Sequence, residues 1–103
     1  MKVSISGPAR RDILGIHDYL VAQAGQEKAR QLASEIREKC IGLERMPDRF
    51  QLLTGFEVIG LRRRIYRDYL IVYQVRARTV IVIRVLHGAS DHESLLRDMK
   101  AAP

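Results

Sequence analysis

The chain has 103 residues, 47% of them hydrophobic and 29% charged, with a formal net charge of +6. This length supports one modest hydrophobic core, so residues 1–103 are expected to form a single domain. No window approaches the roughly 18 unbroken apolar residues of a membrane span, the opening MKVSISGPARRD lacks the apolar core of a signal peptide, and the lone Cys40 cannot form an internal disulfide. A cytoplasmic protein without a membrane partner is the expectation.

In chain order, KVSIS at 2 to 6 alternates apolar Val3 and Ile5 with polar neighbours and predicts a short strand. Gly7-Pro8 ends it, and Pro8 suits the first turn of a helix. Ala9, Ile13, Ile16, Leu20 and Ala24 then fall on one helical stripe that Gly25 stops. Ala29, Leu32, Ile36, Cys40 and Leu43 repeat the stripe before Pro47, which gives a helical hairpin joined at Gly25.

Beyond Pro47 the period shifts from 3.6 toward 2. LRRRIYR, YLIVYQV and TVIVIRVLH read as three strands between about 61 and 87, with turns at Asp68 and at 76 to 78. They suit an antiparallel meander in which YLIVYQV, apolar on both faces, is central. Ser90 and Glu93 have capping-box spacing and start a short last helix, whose apolar stripe is Leu95, Leu96 and Met99. Such a helix is marginal alone. The expected class is α+β: an N-terminal strand, a helical hairpin packed on an antiparallel sheet of three further strands, and a short C-terminal helix.

Standard catalytic signatures are missing. There is no phosphate-binding glycine loop, no HExxH and no cysteine pair, and His17, His87 and His92 are dispersed, so neither a metal nor a cofactor is expected. The charge is local: residues 8 to 46 carry seven Lys/Arg against six Asp/Glu, whereas 61 to 87 carry seven arginines against Asp68 alone. Guanidinium forks on strands suit carboxylate or phosphate partners, or they simply solvate a sheet face. Alternation puts Arg62, Arg64 and Tyr66 on one face. Arg84 goes with Val80 and Val82, and looks away from the hairpin if the hairpin covers Ile81, Ile83 and Val85.

Arg62, Arg63, Arg64, Tyr66, Arg67 and Arg84, with Leu95, Leu96 and Met99 of the last helix, are therefore the candidate surface for RNA or an acidic protein partner. Tyr69 and Tyr73 read equally well as β-forming core residues. An RNA-cleaving site would need a base, an acid and a cation, for which Arg62, Arg84 and His87 are the candidates. No second group titrating near neutral pH is evident beside His87, and a histidine before Gly88 also serves as a plain turn residue.

The helix ARRDILGIHDYL, the second helix closing at LERMP, GLRR opening the sheet, YLIVYQV, and RVLHGASD before the last helix together resemble the RelE/ParE superfamily of type II toxin–antitoxin toxins. The resemblance covers nearly the whole chain. It implies a small α+β toxin neutralised by an antitoxin whose C-terminal segment wraps around it, forming a hetero-oligomer. RelE-like members are ribosome-dependent mRNA endonucleases that use sheet arginines and, typically, a C-terminal tyrosine. Here Leu70 stands where those nucleases carry arginine, and no tyrosine follows Tyr73. RVLHG resembles the ParE-like branch, which binds and poisons DNA gyrase. Gyrase is thus the target the resemblance favours, and the ribosome with its mRNA is the alternative.

Overall fold

The computed structural model describes residues 1–97. Strand β1 (Lys2–Ile5) leads into helix α1 (Gly7–Ala24), and α2 (Gln26–Ile41) follows after Gly25. Two short 3-10 turns at Gly42–Glu44 and Pro47–Arg49 come next, then β2 (Arg62–Tyr66), β3 (Tyr69–Arg76), β4 (Thr79–His87) and a single-turn α3 (His92–Leu95). Ser6 starts α1. Its hydroxyl accepts from Ala9 N at 3.1 Å and donates to Ile83 O at 2.9 Å, fixing the helix start to the sheet. At φ +96°, Gly25 takes a left-handed backbone that lets α2 start one residue after α1 ends.

The sheet order is β1-β4-β3-β2. The meander β2-β3-β4 is antiparallel as its sequence predicts, and β1 joins β4 in parallel, so the sheet is mixed. Tyr66 faces Tyr69 across a two-residue turn in which Arg67 has φ +52°.

The register of β3 against β4 slips once. Val72 opposes Arg84 and Tyr73 opposes Val82, which leaves Ile83 without a cross-strand partner. This bulge changes the phase of alternation, so Val80, Val82 and, beyond it, Val85 all enter the core under the helices with Ile13, Ile36, Ile71 and Tyr73. The expectation that the hairpin covers Ile81, Ile83 and Val85 therefore fails for the two isoleucines. Nothing in the composition of TVIVIRVLH marks the slip.

The opposite face of the sheet is also covered. Leu61, Leu70, Val72 and Leu86 form a second cluster with Leu53 and Phe56 of the 50–61 segment and with Leu96. Leu96 is 1% exposed and so works as a core residue. The cap of α3 is shifted by one position from the expected box: Asp91, not Ser90, accepts from Ser94 N at 3.2 Å, while Ser90 N bonds His87 O. Hydrogen bonds from the first turn hold the exposed Asp91 carboxyl below its usual range. Met99 lies outside the described residues.

Candidate functional site: a groove on the far face of the sheet

Strand β2 carries the arginine run, and alternation splits it. Even positions turn toward the helices. Arg62 donates through Nη1 to Asp48 O at 3.1 Å and Phe50 O at 2.7 Å, with Asp48 Oδ1 3.7 Å from Nε. Arg64 donates to Lys39 O at 2.9 Å and stacks its guanidinium 4.9 Å from the Phe50 ring centre. It thereby occupies a carbonyl that the last turn of α2 leaves without an intrahelical partner. Burial and the nearby Arg49 hold its pKa below the ordinary arginine value. Gly42 permits this approach, since a Cβ there would lie 3.3 Å from Arg64 Nη1. Tyr66 donates to Glu35 at 3.1 Å.

Arg84 also turns toward the helices, contrary to the expectation that it looks away from them. Its Nε and Nη2 donate to the two carboxylate oxygens of Asp12 on α1 at 2.7 and 2.9 Å, and Val85 N donates to the same carboxylate at 2.9 Å. The fork-to-carboxylate geometry raises the Arg84 pKa above normal. Tyr73 is fully buried and its hydroxyl donates to Pro47 O, whereas Tyr69 is half-buried at the margin of the same cluster.

Odd positions of β2 turn the other way and border an open groove of about 630 Å³. Leu53, Phe56, Ile65 and Leu70 supply its apolar lining, and Arg63, Arg67, His87 and His92 its basic and imidazole groups, with Asp68 and Glu93 also present. Arg63 is tethered lightly, through Nη2 to Gln51 Oε1. Arg67, exposed at the hairpin turn, shares itself between the Tyr66 hydroxyl at 3.2 Å and Glu35 at 3.5 Å, and these contacts raise its pKa. Leu95 is 44% exposed.

His87 meets Tyr69 edge-on, with ring centres 5.8 Å apart. Its Nδ1 accepts from Ala89 N at 3.1 Å, so the ring closes its own turn as a hydrogen-bond acceptor. His92 Nε2 lies 3.3 Å from His87 O. Among the described residues no group of three or more His, Cys, Asp or Glu is placed to hold a metal ion.

The fold thus brings Arg63, Arg67 and His87 to one groove and commits Arg62, Arg64 and Arg84 elsewhere. Sequence reasoning missed Asp12, Glu35 and the covering segment with Leu53 and Phe56. For Asp12 no local signal existed, because its partner lies 72 residues away.

No curated protein matches the chain in sequence. Among solved structures, a chain described as the chromosomal ParDE TA system from P. aeruginosa superposes with a TM-score of 0.74 at 22% identity, covering 84% of this chain and 95% of that one. At that identity the likeness is one of fold. The family model for the ParE toxin of the type II toxin–antitoxin system parDE matches residues 3–92, nearly the whole described chain, and the protein belongs to that toxin family.

Proposed function

We propose that this toxin arrests growth by binding and poisoning DNA gyrase in the cytoplasm, and that a cognate antitoxin held with it in a hetero-oligomer neutralises it. One observation carries the choice against RNA cleavage: the groups a nuclease would recruit are dispersed and already bonded. Arg84 is bonded to Asp12 and Arg62 to two carbonyls. Arg62 opposes Tyr73 while His87 opposes Tyr69, so four strand residues, about 13 Å, separate them along the sheet. Poisoning by binding needs surface rather than a proton relay, and Arg63, Arg67 and Leu95 offer it.

The second reading is a ribosome-dependent mRNA endonuclease of RelE type. It is favoured by the two imidazoles, His87 and His92, that line the groove with Arg63 and Arg67. Inducing the protein without antitoxin separates the two. DNA damage and filamentation, with purified gyrase losing supercoiling activity, supports the first; rapid loss of translation with cut mRNA supports the second.

A further inference from the structure

The turn that follows α2 is held in place by several bonds. Arg49 N closes the 3-10 turn Pro47–Arg49 on Met46 O at 3.0 Å, the Tyr73 hydroxyl donates to Pro47 O, and Arg62 donates to Asp48 O and Phe50 O. This framework fixes Phe50 beside β2. The guanidiniums of Arg49 and Arg64 lie 4.7 and 4.9 Å from the centre of its ring. Tyr66, the next ring on that face of β2, has Lys39 Nζ 5.3 Å and the Arg67 guanidinium 5.5 Å from its centre. Cations and rings thus alternate where the end of α2 meets β2. Lys39, Arg45, Arg49 and Arg64 line a concavity of about 550 Å³ there, shared with Glu38 and Glu44. Among the described residues none of these four cations forms an ion pair.

Arg45 and Arg49 are exposed, and Arg64 spends only Nη1, on Lys39 O. Burial, and after it the charge of Arg49, lowers the Arg64 pKa, so an anion held between the two guanidiniums relieves a repulsion already present. Guanidinium forks match phosphate oxygens bidentately, and a row of cations suits an anion repeated along a line, as backbone phosphates are. The rings, by contrast, are half-buried with cations over them, so they offer no free faces for the splayed bases by which single strands are gripped. Phosphate contact without base contact remains. We infer that this end of the protein, where α2 meets β2, binds the phosphate backbone of duplex DNA without reading its sequence. The contact does not depend on gyrase being the target.

The test is binding of the full chain to a short mixed-sequence DNA duplex, read by fluorescence anisotropy across a salt series. Affinity is expected to fall with salt with a log–log slope of roughly 3 to 4, as contact with about four phosphates requires. Arg45→Gln combined with Arg49→Gln should lower affinity about tenfold and the slope by about 2. Removing the same charge at the β3–β4 turn, Arg76→Gln with Arg78→Gln, should change affinity less than about twofold. All four arginines are exposed, and the urea midpoint checks that both variants remain folded. No DNA binding by the wild type, equal loss from the two variants, or tighter binding of a single-stranded RNA of the same length overturns the proposal. So does competition by polyglutamate as strong as that by unlabelled duplex, which would make the strip a surface for acidic proteins. Gyrase inhibition and growth arrest are scored separately, so a failed DNA-binding experiment leaves the proposed function standing.

Discussion

The two faces of β2 treat the same residue type in opposite ways. Arg62 and Arg64 turn toward the helices and satisfy carbonyls at 48, 50 and 39, whereas Arg63 between them faces a groove with one light tether to Gln51. Three consecutive arginines thus divide between building the fold and presenting charge. A local excess of positive charge is therefore not itself a binding site; the period of the strand decides which part of it is available.

The largest losses of stability are expected on the helical face. Asp12→Ala removes the partner of Arg84 and the acceptor of Val85 N together, leaving a mostly buried guanidinium and an orphaned amide. It should cost about 2–4 kcal/mol, read from the urea midpoint. Arg64→Glu, which sets a carboxylate against Lys39 O, should cost roughly 2 kcal/mol. The paired substitution Arg63→Glu, one residue away on the other face, should stay within about 0.5 kcal/mol of wild type. If Arg63→Glu destabilises as much as Arg64→Glu, the division between the faces is wrong.

Cys40 reports on the same core without altering it. Fully buried on the core side of α2, its thiol is pushed up to about 11 by desolvation, the positive Arg64 offsetting only part of this. The thiolate is the reactive form, so alkylation at pH 8 should be slow in wild type. It should accelerate in Asp12→Ala in step with the loss of stability. Rapid labelling of the folded wild type would show that the core under α2 is open.

Most of the architecture was legible because its periods are clean. The α1 stripe from Ala9 to Ala24, the Gly25 break and the three-strand meander all follow from spacing, and the structure has them within a residue or two. The site was half legible. Alternation correctly separated Arg62, Arg64 and Tyr66 from Arg63, but the bulge at Ile83 changed which β4 residues face the helices and brought Arg84 to Asp12. A one-residue slip is a tertiary choice, made by packing against α1, and leaves no trace in apolar residues that suit either face. The 50–61 cover was illegible for a related reason: only hydrogen-bonded turns and an isolated bridge at Leu52 structure this connection, so it has no period to detect.

The smallest expected effect is at His87, and it bears most on function. Its Nδ1 accepts from Ala89 N, a role that the amide oxygen of glutamine also fills. Its ring edge against Tyr69 is lost in His87→Gln, but the residue is exposed and only a weak aromatic contact goes with it. Stability should therefore change by less than about 1 kcal/mol. If the toxin poisons gyrase by binding, growth arrest and gyrase inhibition in vitro should persist within a few-fold, because no proton need move at this position. A nuclease using His87 as its acid or base would instead lose roughly a hundredfold or more in cleavage rate. Glycine at the same position completes the argument: His87→Gly removes the acceptor as well as the ring, so it tests the turn that leads into α3. Loss of toxicity in the glycine variant with retention in the glutamine variant assigns His87 to holding that turn. Loss in both, together with mRNA cleavage by the wild type, assigns it to chemistry.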